Sequence, residues 1–378
     1  MVLAVRAGVR LLVGCSCLLA ACDNGQAPPG EAAPPAAAVR RSVPMGAPSS
    51  SPSQRRSSAA PEVVGIRERR LSLAGASPTT RRVALGRRLL AQAQTDKIVV
   101  RSGADGTLVL ELPAEHPRQA VALPGGSVLV AALDFAYRFE PGRNVAQRLT
   151  RLSLLRDSEL HARRESAEHV WVLQPTLRNV LLYSLLPDAG LGPRAERTLP
   201  GFDGVAFTTL LDGSFLFTAG SSLTHQVHAA QARSFPLPSV RVWRLLAAPR
   251  IDRALVVTAD GAFTWLEIGE RLLVVKTVQT GVIPFDVAAT SRLIALVSVI
   301  EAGNEPRRFL LNVYTADGEL RFSTGLPAVP VSAADDWAAN VVSEMQVSVG
   351  DEPPRVAVGG RSQLLLFDAE SGKRLFPR

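Results

Sequence analysis

The chain has 378 residues, 47% of them hydrophobic, so it can bury a sizeable core and is not disordered throughout. Its formal net charge of +8 is uneven: 13 of the 42 basic residues precede residue 96, but only 4 of the 34 acidic residues do. The rest carries 29 basic and 30 acidic residues and is nearly neutral, which argues against nucleic acid as its partner.

The first 21 residues have the pattern of a secretory signal peptide. Arg6 and Arg10 form a short basic region, and an apolar run from residue 11 to residue 21 follows and ends in small residues. This run is shorter than the roughly 20 apolar residues that a membrane-spanning helix needs. All three cysteines fall within residues 1–22, so the rest of the chain has no thiol for a disulfide or a thiolate metal site.

The end of this run, Leu19-Ala20-Ala21-Cys22, resembles the lipobox of bacterial lipoproteins. The resemblance implies cleavage before Cys22, acylation of Cys22, and anchoring to a lipid bilayer that faces the periplasm or the cell surface. Two or three acyl chains are enough for stable anchoring, whereas one chain binds only reversibly. The alternatives are an ordinary cleaved signal that contains a cysteine and an uncleaved apolar N-terminus.

Residues 22–60 are rich in Pro, Ala, Ser and Gly and predict a disordered tether. A flexible tether of this length spans about 35 Å. Residues 61–95 are ambiguous: they are a basic linker, a strand near 62–73, or a helix over Arg81–Gln94.

From residue 96 to residue 378 one pattern recurs, in which short apolar strands are joined by tight turns such as Asp105-Gly106 and Asp317-Gly318. Units start near residues 97, 126, 168, 213, 253, 292 and 354. Their mean spacing of about 43 residues matches one propeller blade. We therefore predict an all-β fold, a β-propeller of seven blades. Six or eight blades, and a pair of β-sandwiches, are the alternatives.

Two segments resemble known propeller repeats. Residues 364–375 resemble the outer-strand repeat of quinoprotein-like, YVTN and WD40-like propellers, and residues 314–322 are a looser copy. This resemblance implies architecture rather than activity.

Two connections are longer than the others in the repeated pattern, residues 147–167 and 327–354. Long loops on a rigid scaffold are where binding usually occurs. The candidate partner-binding residues in them are Arg156, Asp157, His161, Asp335, Asp336 and Trp337. The first connection is also interpreted as a solvated charged loop. The tryptophans at 171, 243 and 265 are expected in the blade cores.

The sequence contains no catalytic or cofactor-binding motif in the repeats, so we predict no catalytic residue, no metal and no cofactor. His225 and His228 are three apart on a strand and point to opposite faces, so they cannot share a metal. The leading hypothesis is a noncatalytic, membrane-anchored propeller that binds protein or glycan partners at the cell envelope. The alternative is a propeller-type hydrolase or lactonase with its site in the central channel.

Overall fold

The computed structural model describes residues 81–187, 192–227, 231–237, 242–247, 253–300, 308–327 and 344–377. The predicted signal peptide, Cys22, the tether and residues 61–80 lie outside the described residues, and so do Asp335, Asp336 and Trp337.

The described residues form seven four-stranded antiparallel sheets, each built from four consecutive strands. We number these blades in chain order. The strands of the first four blades are β1 (Val83–Leu85), β2 (Leu89–Ala93), β3 (Lys97–Ser102), β4 (Leu108–Pro113); β5 (Gln119–Ala122), β6 (Val128–Ala131), β7 (Ala136–Phe139), β8 (Ala146–Leu149); β9 (Glu159–Ala162), β10 (His169–Gln174), β11 (Asn179–Ser184), β12 (Ala195–Thr198); β13 (Phe207–Thr209), β14 (Phe215–Ala219), β15 (Ser222–Val227) and β16 (Gln231–Pro236). Those of the last three blades are β17 (Val242–Ala247), β18 (Arg253–Thr258), β19 (Ala262–Ile268), β20 (Leu272–Gln279); β21 (Ile283–Ala289), β22 (Leu293–Ile300), β23 (Arg308–Thr315), β24 (Leu320–Leu326); β25 (Gln346–Asp351), β26 (Pro354–Gly359), β27 (Leu364–Asp368) and β28 (Arg374–Phe376).

The blades form a closed ring. Each first strand contacts the first strand of the next blade, and β25 of blade 7 contacts β1 of blade 1. Seven hydrophobic clusters are found among the described residues, one at each junction between neighbouring blades, including the junction of blades 7 and 1. An open row of seven blades has only six such junctions, so the seventh cluster closes the ring. The seven-bladed propeller is therefore confirmed.

The apolar runs of the sequence follow from this packing, because both faces of each sheet are covered by neighbouring blades. In β6, Val128 and Val130 pack towards blade 1, whereas Leu129 and Ala131 pack towards blade 3. The fourth strand of a blade lies at the rim and is more exposed, as in β20, where Leu273, Val274 and Val275 are all exposed.

The structure places two segments differently from the sequence analysis. Residues 83–93, predicted as part of a linker, a strand or a helix, form β1 and β2, so blade 1 begins before residue 96. The long connection at residues 147–167 contains the end of β8 and all of β9, so its irregular parts are residues 150–158 and 163–167. No helix in the described part of the chain is long and apolar enough to cross a membrane.

Candidate functional site

The first strands of blades 3, 5 and 6 carry charged side chains that interact across the middle of the ring. We call Arg81, Glu159, His161, Arg244 and Asp286 the central charge cluster. Glu159 and His161 lie on β9, Arg244 on β17 and Asp286 on β21, and Arg81 immediately precedes β1. Four blades therefore contribute to one group, and only ring closure brings them together.

Asp286 is the fixed anion of the cluster. Its side chain has no solvent exposure, and its Oδ1 lies 3.2 Å from Nη2 of Arg81. Its other oxygen accepts a hydrogen bond of 2.8 Å from the backbone N–H of Val347. Arg81 also donates to the backbone oxygens of Val347 and Val287, both at 2.9 Å. Both side chains of the pair therefore have hydrogen-bond partners. This is the condition under which a charged pair is buried without a large cost in folding free energy.

Glu159 and His161 are neighbours on one side of β9, because side chains two apart on a strand share a face. His161 Nε2 lies 3.4 Å from Glu159 Oε2, and its ring packs edge-on against Phe207 with 4.9 Å between the ring centres. Burial acts to raise the pKa of the Glu159 carboxyl, but His161, Arg244 and Arg81 outweigh it, so this pKa lies below its usual value.

Arg244 is the most buried cation of the cluster, with 9% exposure. Burial lowers the pKa of its guanidinium, and the carboxylates of Glu159 and Asp286 partly oppose this effect. Among the described residues no acceptor contacts its Nε or Nη2.

Two β-bulges place these charges. The register between β17 and β18 shifts between Val242 and Arg244, and the register between β21 and β22 shifts between Pro284 and Asp286. Trp243 and Phe285 are the extra residues, and both are buried in junctions between blades. A bulge changes the direction of the side chains beside it. At each of these two bulges the aromatic side chain is buried between blades, and the charged side chain that follows it is displaced from the apolar core.

A second group lies where the first strands begin, an end of the ring that we call the entry face. Its arginines are Arg82, Arg118 and Arg361. Burial and the neighbouring Arg361 lower the pKa of Arg82, and Glu344 opposes them. Glu344 Oε2 accepts hydrogen bonds from the backbone N–H groups of Ser362 and Gln363. The three arginines and one carboxylate give this group a net positive charge.

The entry face also carries the predicted loop residues Arg156 and Asp157. Asp157 accepts a 2.9 Å hydrogen bond from the backbone N–H of Thr176 and another from the Thr176 hydroxyl. These bonds outweigh burial and lower the pKa of Asp157. Arg156 is exposed. His161, predicted in the same loop, lies instead on the inner strand β9, because the strand begins at Glu159.

A cavity of about 220 Å³ lies beside this loop, between blades 2 and 3. It is lined by Arg118, Ala132, Leu133 and residues 151–155. The guanidinium of Arg118 donates to the backbone oxygen of Leu154 at 3.3 Å, which holds it against the loop.

The remaining candidates have structural roles. Trp171, Trp243 and Trp265 are buried in the junctions between blades, as predicted. His225 Nε2 lies 2.8 Å from the Ser214 hydroxyl. Burial lowers the pKa of the His225 imidazole. His228 lies outside the described residues. In the described ranges no group of three or more His, Cys, Asp or Glu side chains is arranged to hold a metal ion.

No protein-family model matches the chain, and no curated protein matches it. Solved structures do. Hsv2 from Kluyveromyces lactis has a TM-score of 0.50 at 9% identity, covering 75% of this chain and 91% of that one. KlHsv2 with one loop replaced by a Gly-Ser linker has a TM-score of 0.52 at 10% identity, covering 76% and 93%. The beta-propeller domain of Cps50 (Swd1) from Myceliophteria thermophila gives 0.49 at 13% identity, covering 78% and 94%. At such low identity the likeness concerns the fold alone.

Proposed function

We propose that this protein is a lipoprotein of the bacterial cell envelope, anchored through acylated Cys22, whose propeller is a noncatalytic module that binds a protein or glycan partner. The lipobox at residues 19–22 supports the anchor, and the tether to residue 60 gives the propeller reach from the bilayer. The entry face supports the binding role.

The observation that carries this proposal is the ordered surface made by residues 150–158 and the turn Pro175–Leu177. The hydrogen bonds between Asp157 and Thr176 join these two segments. They leave Leu155 40% exposed and Leu177 56% exposed on the same end of blade 3. Exposed apolar side chains on a pre-formed, polar-rimmed surface are typical of protein interaction sites, because little ordering entropy is lost on binding.

The neighbouring cavity extends this surface. At about 220 Å³ it is smaller than the roughly 300–1,000 Å³ of most small-molecule sites, and it suits one side chain or one sugar ring. Arg118 and Arg151 line it, so an acidic side chain or a hydroxyl-rich sugar is the complementary group. Asp335, Asp336 and Trp337 remain candidate contact residues that lie outside the described part of the chain.

The binding role is tested by crosslinking capture of the mature protein from its own envelope. We expect wild type to recover a defined partner and the double variant Leu155→Asp/Leu177→Asp to lose it. Leu320→Asp is the control, since Leu320 is 57% exposed but lies on the rim strand β24. Recovery of the same partner by the double variant would contradict the proposal. Trp337→Ala tests the second loop in the same way.

The anchor is tested separately with labelled palmitate. Wild type is expected to incorporate the label and to fractionate with membranes, whereas Cys22→Ser does neither. Equal membrane association of the two proteins would contradict anchoring through Cys22.

The second candidate is a propeller-type hydrolase or lactonase, and the observation favouring it is the pair Glu159 and His161 inside the ring. The other inward carboxylate, Asp286, is already bonded to Arg81 and to the Val347 N–H. Binding is therefore the better-supported function. Hydrolysis of a lactone panel by wild type, abolished in Glu159→Gln, would favour the enzyme instead.

A further inference from the structure

Among the described residues Arg244 has two buried donors without an acceptor, Nε and Nη2, whereas Arg82 has one, its Nε. Arg81 donates to two backbone oxygens and contacts Asp286, and Arg82 donates to the backbone oxygens of Ala93 and Pro117. Arg244 is nine-tenths buried, and within the described ranges neither its Nε nor its Nη2 has a hydrogen-bond acceptor. A buried donor without an acceptor carries a free-energy penalty, so an acceptor is expected there.

The two unused donors form one edge of the guanidinium. The N–H bonds of Nε and Nη2 point the same way, and their spacing matches the two oxygens of a carboxylate. The guanidinium lies over the Trp243 ring, with Cζ 5.5 Å from the ring centre. Beside this contact, Nε and Nη2 have no acceptor among the described residues.

The local backbone supports a built site rather than an accident of packing. Arg244 follows a β-bulge on an inner strand, and Asp286 follows an equivalent bulge on the inner strand of the next blade. Bulges of this kind are frequent beside functional sites, because they re-aim a side chain that regular pleating would place elsewhere. Here the two bulges place a cation and an anion in one electrostatic neighbourhood.

The charges indicate what kind of ligand fits. Arg81 already contacts Asp286, so the donor edge of Arg244, which has no acceptor among the described residues, is the part of the central charge cluster open to an anion. The arginine excess around Arg82, where Arg82, Arg118 and Arg361 face Glu344, attracts anions towards the centre. A carboxylate is an anion whose two oxygens match this donor edge, whereas a phosphate group brings a second charge close to Glu159 and Asp286.

We propose that the centre of the ring binds a small monocarboxylate, with Arg244 donating to its two oxygens through Nε and Nη2. His161 and Glu159 lie in the same cluster and contact the rest of the ligand. This inference goes beyond the proposed function, since it concerns a small ligand and residues that the entry-face loop does not use.

The experiment measures the melting temperature of the full-length chain in detergent as sodium acetate replaces sodium chloride at constant ionic strength. A ligand that binds the folded state raises this temperature in a concentration-dependent way, from which a Kd follows. We expect acetate to raise it in wild type and in the control Arg156→Lys, whose side chain is exposed. Arg244→Lys keeps the charge but loses the forked edge, and we expect its Kd to rise at least about tenfold.

Glu159→Gln provides an independent test, in which the Kd for acetate is expected to fall rather than rise. Removing a negative charge near Arg244 is expected to tighten acetate binding about three- to tenfold, and this test stands even if Arg244→Lys does not fold. The proposal is overturned if acetate acts no differently from chloride, if its effect survives in folded Arg244→Lys, or if Glu159→Gln does not bind more tightly. Tighter binding of inorganic phosphate than of acetate would overturn the assignment to a carboxylate.

Discussion

Arg81 and Asp286 are 205 residues apart in the chain, yet their side chains meet at 3.2 Å. Arg81 precedes blade 1 and Asp286 lies in blade 6, so the contact spans blade 7. Val347 of blade 7 accepts a hydrogen bond from Arg81 through its backbone oxygen and donates one to Asp286 through its backbone N–H. Blade 1 is formed entirely by residues 83–113 and blade 7 by residues 346–376, so side chains rather than a shared strand join the ends of the ring. The charged centre and the closure of the ring therefore depend on overlapping contacts.

Gly106→Ala tests one of the closure contacts. Gly106 has a φ of +79°, and an added Cβ would lie 2.5 Å from Cβ of Phe376 in the last strand. We expect a loss of about 3 kcal/mol in the free energy of unfolding, of which about 1 kcal/mol is backbone strain and the rest overpacking. Gly142→Ala is the matched control, because its φ is +80° but nothing lies within 4 Å. Equal losses in the two variants, measured by urea unfolding, would show that Phe376 does not pack on this turn.

Gln92→Leu tests a second closure contact. Gln92 is 2% exposed, and its Nε2 donates to the backbone oxygens of Gly360 and Gln363 in blade 7. Removing this donor leaves buried carbonyl groups short of a partner, and we expect a loss of about 1–3 kcal/mol in urea unfolding.

Gln226→Leu is the control for that change. Gln226 is similarly buried, but in the described part of the chain its Oε1 has no hydrogen-bond partner, so we expect a change below about 1 kcal/mol. An equal effect of the two substitutions would contradict a specific role for Gln92 in joining blades 1 and 7.

The pH dependence of stability tests the environment of Glu159. Since its pKa in the folded protein lies below the ordinary value of 4.5, the ionised carboxylate stabilises the fold. That contribution is complete above the ordinary pKa and declines as the pH falls through the folded value. Unfolding of wild type and Glu159→Gln is measured from about pH 7 to about pH 3, and we expect the gap between them to shrink below about pH 4.5. A gap that widens in acid would contradict the account.

The sequence predicted the repeat well because buried strands and tight turns are local features. In six of the seven units the predicted start lies at or within two residues of the second strand of a blade, as with the unit near residue 253 and β18 (Arg253–Thr258). The first unit is displaced by one strand, since its predicted start near residue 97 lies at β3. The paired arginines at 81–82 and 87–88 gave the first two strands the composition of a linker.

The centre of the ring was not predicted, because it depends on contacts between blades that are far apart in the chain. Glu159, Arg244 and Asp286 come from blades 3, 5 and 6, and no spacing along the sequence relates them. One signal was present: Trp243-Arg244-Leu245 and Phe285-Asp286-Val287 each place a single charge after an aromatic residue inside an apolar strand. Such a charge needs a partner within the fold.

The most direct test of the central claim, that distant blades assemble a charged centre, is a double-mutant cycle on Arg81 and Asp286. The free energy of unfolding is measured for wild type, Arg81→Met, Asp286→Ala and the double variant, and in parallel for the exposed pair Lys97 and Glu111, which lie 3.0 Å apart. We expect a coupling energy of at least about 1 kcal/mol for Arg81 and Asp286, and a smaller one for the exposed pair. Additivity of the Arg81 and Asp286 substitutions within about 0.3–0.5 kcal/mol would contradict the account.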